Sequence, residues 1–140
     1  MLLLFNLLIS ALLTGLIWTI QLVHYPAFAL VGKAEQPLFQ LHHEQRISYL
    51  VIPLMLTELA ITVWLLISSP EKLLTWLIAG LLAFIWLVTA LVFVPLHNRL
   101  KQEGYILPLT HKLINWNWPR TLAWTVKTAL LCWLLFSTIN

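Results

Sequence analysis

The chain has 140 residues, 61% of them hydrophobic and only 9% charged, with a formal net charge of +3. A water-soluble fold of this composition would lack the polar side chains to cover its surface, and the length suits one domain. The eight Lys and Arg residues are scattered rather than run together, which argues against a nucleic-acid surface and for charges that mark helix ends.

In chain order, the first apolar segment runs from about Leu2 to Phe28. No Lys or Arg precedes it and it exceeds the short core of a secretory signal, so a retained helix is expected. Its end departs from the leucine-rich pattern with Gln21, His24, Tyr25 and Pro26. A polar connection follows, and within it residues 36–45 read as a short surface helix. The second helix is expected over 46–68, kinked at Pro53 and carrying Glu58 deep inside. Ser69-Pro70-Glu71 reads as a tight hairpin, with serine as cap and proline at the first helical position. The third helix is expected over 73–96. Trp118-Pro119 should open the fourth, over 119–137, which carries Lys127. About 20 helical residues cross ~30 Å of hydrocarbon, and a backbone in lipid must satisfy its own hydrogen bonds. The expectation is an all-α, integral membrane four-helix transmembrane bundle, a single domain over 1–140 with no internal repeat.

Two connections carry six basic residues, Lys33, Arg46, Arg99, Lys101, Lys112 and Arg120, against Lys72 alone on the opposite side. The bias predicts that those connections are cytoplasmic and both termini extracytoplasmic, in an inner or plasma membrane. Trp64, Trp76 and Trp133 then fit one interfacial belt, and Trp116 and Trp118 the other. Cys132 stands alone, so no intrachain disulfide or CxxC site exists.

Four stretches bring chemistry to the cytoplasmic end: His24, then His42 and His43, then His97, and the segment Asn115 to Arg120. Helical spacing groups Thr14, Trp18, Gln21 and Tyr25 on the first helix. It groups His43, Arg46, Leu50, Pro53 and Thr57 on the second, and Trp86, Thr89, Phe93 and His97 on the third. On the fourth it groups Asn117, Arg120, Trp124, Lys127 and Leu131. Lipid-facing stripes should not be polar, so these are expected to turn inward around a pocket. Glu58 and Lys127 lie deep enough that each needs a partner inside the bundle. The bland alternative is that the histidines sit singly at the interface. No pair has a ligand motif such as HExxH.

Two short motifs carry a resemblance. VPLHNRL, residues 94–100, resembles the Val-Pro-Leu-Asn-x-x-Leu pattern of the anthrone oxygenase-like family of small four-helix membrane proteins. WNWPRT, residues 116–121, matches that family's Trp-Asn-x-x-Arg-Thr pattern. HYPAF, from His24, is more weakly similar, and His97 stands where those proteins usually carry asparagine. The resemblance implies a four-helix membrane fold and oxidation of an anthrone to an anthraquinone.

The function expected from these readings is a small membrane oxidoreductase, of monooxygenase type, for a hydrophobic aromatic or quinone-like molecule. His24 and His97 would serve as general bases, or with His43 as metal ligands, and Arg46 and Arg120 would stabilise an oxyanion. Tyr25, Trp86, Phe93, Trp124, Asn98, Asn115 and Asn117 would contact substrate. Iron, copper, haem or no cofactor all remain open, as does a homo-oligomeric state. The rival readings are a non-catalytic binder of quinone, lipid or pigment, and a structural subunit of a membrane complex.

Overall fold

The computed structural model describes residues 1–103 and 107–139. Among these the chain is all-α, four long helices in antiparallel succession: α1 (Leu2–Leu30), α2 (Gln36–Ser68), α3 (Leu73–Gln102) and α4 (Leu107–Ile139). Each is long and apolar enough to cross a membrane. Neighbours pack in the ring order α1, α2, α3, α4, with α4 returning to α1. The outward faces are apolar, with Leu12, Val23, Leu87 and Leu91 all more than half exposed. Inside lie Asn6, Ser10, Glu58, Thr62 and Lys127, together with an apolar core around Leu13, Ile17, Ile85 and Leu113. This distribution is the one lipid selects, since hydrocarbon offers no partner to a polar side chain.

Three helices are longer than the apolar runs suggest. Helix α2 starts at Gln36, not Arg46, and the expected surface helix over 36–45 is its first turns. Gln36, Gln40 and His43 recur at helical spacing and are all buried. Hydropathy sees only lipid contact, whereas these turns are held by neighbouring helices. Helix α3 continues beyond Leu96, and α4 begins well before Pro119, where Leu109 and Leu113 are buried. Pro119 is therefore an interior residue. Ser69 does not cap with its side chain; its carbonyl accepts from Lys72 N and Thr75 Oγ1, and α3 starts only at Leu73.

Helices α1 and α3 each contain a widened π-turn, Ile20–His24 and Thr89–Phe93. Tyr25 N–H reaches back to Ile20 and Val94 N–H to Thr89. Proline explains both positions. Pro26 and Pro95 have no N–H for the carbonyl four residues earlier, so the turn before each one relaxes to five-residue pairing. The extra residue turns everything beyond it by roughly 100° around the helix axis.

No repeat was expected, yet the two helical hairpins repeat each other at a constant offset. The π-turns start at residues 20 and 89, the prolines stand at 26 and 95, and Glu58 corresponds to Lys127, each pair 69 positions apart. The buried pairs Asn6 and Thr75, Leu13 and Leu82, Gln40 and Leu109, Met55 and Trp124, and Thr62 and Leu131 follow the same offset. Identities have diverged while burial and backbone geometry persist, so a comparison of letters misses the repeat.

Glu58 and Lys127 meet across the bundle at 2.9 Å, both fully buried. Ser10 donates to Glu58 Oε1 at 2.6 Å and accepts from Lys127 Nζ at 2.7 Å. Trp124 Nε1 donates to Glu58 Oε2 at 3.2 Å. Removing one partner of such a pair costs about 3–5 kcal/mol, because the other charge stays buried alone. Lys127→Met should lose about that much thermal stability in detergent, and Glu58→Gln less than Glu58→Lys, which sets two cations together. Adding Glu58→Gln to Lys127→Met should recover part of the loss.

Candidate functional site

Two concavities flank His43 at one end of the bundle. The first is a cavity of about 300 Å³ between α2 and α3, closed at its back by Tyr25 of α1 and Arg120 of α4. Val51 and Met55 supply its apolar floor; Trp86, Thr89, Phe93 and His97 line the α3 side. Ile52 and Val94, each about half exposed on the bundle surface, stand at its mouth. The second is an open groove of about 380 Å³ between α1 and α2, reached by His24, His42 and Arg46.

Arg120 dominates the cavity. It is 6% exposed, and its guanidinium carbon lies 4.1 Å from the Phe93 ring centre and 5.4 Å from that of Trp124. Such cation–π contacts hold a desolvated guanidinium without neutralising it. The Tyr25 hydroxyl lies beside it. Its Nε–H has no acceptor, and neither has the buried indole N–H of Trp86, which also lines the cavity. Both donors are themselves buried, and leaving such a group unpaired costs about 1–3 kcal/mol.

Rings gather beside Arg120. Tyr25 and Phe93 stack with planes 14° apart and centroids 6.3 Å apart. His97 lies 6.2 Å from both rings, and Gln40 holds its Nδ1 at 2.6 Å. His43 is 6.1 Å from His97 by centroid and 4.3 Å from His24, whose Nε2 is 2.6 Å from His43 Nδ1. His24 and His97 are thus linked through His43, at a separation no greater than the sum of those steps. His43 lines both concavities, with His24 beside it in the groove and His97 beside it in the cavity. No group of three or more His, Cys, Asp or Glu side chains suited to a metal ion occurs among the described residues.

Of the residues expected at the site, His43, His97, Arg120, Tyr25, Trp86 and Phe93 come together in the cavity. His24 lies one ring away, on the groove side. Trp124 stands behind Arg120 with its N–H committed to Glu58. Arg46 is exposed and lines the groove instead of the cavity. Asn98 and Asn115 are exposed, and neither lines the cavity. Asn117 is buried but donates to Gln21 in the α1–α4 seam. The expected α2 stripe is rotated from the real one: Arg46, Leu50, Pro53 and Thr57 are exposed, while Gln36, Gln40, His43, Met55, Glu58 and Thr62 are buried. Polar Arg46 and Thr57 pulled the reading outward. Extending the period backward from Glu58 through residues 55, 51 and 47 to His43 and Gln40 would have found it. The same extension finds the missed lining residues Ile47, Val51 and Met55.

The repeat gives this cavity an internal control. The equivalent seam, between α4 and α1, is closed by side-chain pairs. Asn117 donates to Gln21 at 2.9 Å, Trp18 Nε1 to Thr125 at 3.0 Å, and Thr14 and Thr128 share a bond at 2.8 Å. The same helix pairing packs shut in one half and stands open in the other.

No family model matches the chain, and neither a curated protein nor a solved structure does. The site therefore stands on its own geometry. The unpartnered indole gives a direct check. Trp86→Phe loses no hydrogen bond and removes an unpartnered buried donor, so it should destabilise the bundle less than the same change at Trp124. Trp124→Phe removes a donor to Glu58 and should cost about 1.5–3 kcal/mol by thermal unfolding.

Proposed function

We propose that the chain is an integral membrane protein whose α2–α3 cavity takes a flat, hydrophobic aromatic ketone or quinone, on which it acts as a small oxidoreductase. The observation carrying this reading is that two residues lining the cavity, Arg120 and Trp86, each keep a buried N–H without an acceptor, beside walls of Tyr25, Phe93 and His97. A ketone or phenolate oxygen supplies the missing acceptor, and the rings supply flat contact. The resemblance of VPLHNRL and WNWPRT to the anthrone oxygenase-like family points to the same substrate class.

Anthrones are carbon acids. His97 or His43 would take the proton from the ring methylene, and Arg120 with Trp86 would hold the enolate oxygen that results. Dioxygen oxidises such an enolate: the methylene becomes a carbonyl, one oxygen atom entering the product and the other leaving as water. Arg46 has no part in this chemistry. The binding-only alternative draws on one observation, that His97 and His43 already engage Nδ1 with Gln40 and His24.

Naphthoquinone binding, followed by tryptophan quenching in nanodiscs, should weaken roughly tenfold or more in Arg120→Met, and also in Trp86→Phe, from the worth of one charge-assisted or desolvated hydrogen bond. Unchanged affinity in both would end the cavity assignment. With anthrone, oxygen uptake that is lost in His97→Gln while binding persists identifies the enzyme; binding without uptake in the wild type leaves the carrier reading.

Orientation follows from the basic residues. With Arg120 buried, the bias stands at five to one, and both termini are assigned to the extracytoplasmic side. A reporter fused after the last helix should be active only if it is periplasmic or extracellular; cytoplasmic activity would reverse the assignment.

A further inference from the structure

The groove between α1 and α2 is separate from the cavity, and it is built differently. One end, near Leu16 of α1 and Leu50 of α2, is apolar and lies near mid-helix. Toward the ends of the helices it meets Arg46 and His42, with the His24 ring behind them. Arg46 and His42 are exposed side chains, and among the described residues neither makes a side-chain hydrogen bond or ion pair. Leu16 to His24 spans eight residues, about 12 Å along the axis. The groove thus runs from an apolar half to a cationic half in the sense of a lipid in one leaflet. The cationic half lies at the end that carries four of the five exposed basic residues, Lys33, Arg46, Arg99 and Lys112, with Lys72 at the other.

We infer that this groove is a binding site for an anionic phospholipid, one acyl chain lying along Leu16, Ile47 and Leu50 and the phosphate meeting Arg46 and His42. The chemistry is direct. An acyl chain gains by burying methylenes against leucine and isoleucine, and a guanidinium presents a planar pair of donors to phosphate oxygens. The site rests on the bilayer placement proposed above and on nothing else in that reading. His43 lines both concavities, so an occupied groove would cover the groove side of a ring that borders the cavity.

The test is native mass spectrometry of the full chain released from nanodiscs that contain equal phosphatidylglycerol and phosphatidylcholine. The wild type should retain phosphatidylglycerol preferentially. Arg46→Gln should lower that preference about fivefold, the worth of one basic side chain near an anionic surface. Lys33→Gln and Lys112→Gln, basic residues outside the groove, should leave it unchanged. Leu50→Trp, which fills the apolar half, should reduce retention of the lipid with Arg46 intact. An Arg46→Gln preference equal to the wild type would overturn the site. So would an equal loss in Lys33→Gln and Lys112→Gln, which would reduce the effect to general surface charge. A chain that cannot be reconstituted at all would strike at the bilayer placement, and this site would fall with it.

Discussion

Lys127 and Glu58 meet at 2.9 Å in the middle of the bundle, where neither reaches solvent. Such a pair adds little net stability over apolar packing, but it strongly disfavours arrangements that separate its members. Here it ties α2 to α4 across the diagonal, and Ser10 adds α1 through bonds to both charges. Helix rotation and axial register are thereby set at one point. Trp124 carries the constraint onward: its indole N–H is bound to Glu58, and its ring lies under Arg120. The cation of the cavity is positioned, through one side chain, by the charge pair below it.

The repeat explains why the pair lies where it does. Glu58 and Lys127 occupy equivalent positions in two hairpins, so they approach each other near the axis that relates the halves. Around that axis the halves have diverged in opposite directions. One seam is closed by Gln21 with Asn117 and by threonines across α1 and α4. The other keeps equivalent space and lines it with Tyr25, His43, His97 and Arg120. Packing failure would be expected in both seams alike. The seam that stays open is the one lined by Arg120 and two imidazoles.

Local backbone chemistry completes the site. Pro26 and Pro95 each impose a π-turn just before them, and each turn delivers an aromatic residue and an imidazole near the cavity: Tyr25 and His24, Phe93 and His97. The added residue turns both helices, so that Tyr25 and Phe93 stack face to face at 6.3 Å. A regular helix would point one of them elsewhere. The prolines of HYP and VPLH are therefore part of the site through geometry, without touching a ligand.

By itself the sequence determined the four helices, since apolar runs of that length leave a chain few other choices, and it determined the inward stripes of α1, α3 and α4. There the polar and aromatic members recur on one face, and Gln21, Phe93, Asn117 and Lys127 are buried as their spacing requires. It also placed Glu58 inside, because hydrocarbon tolerates no lone carboxylate. Only the tertiary structure decided where α2 begins and which way it faces. Gln36 and Gln40 look like part of a short surface helix until α1, α3 and α4 are set around them, and Arg46 looks like site chemistry until the helix is turned. Helix ends held by neighbours carry no hydropathy signal, and a π-turn shifts the face of a helix without changing a letter. Hence the members of the cavity were legible one helix at a time, while their meeting in one space was a property of the packed bundle alone.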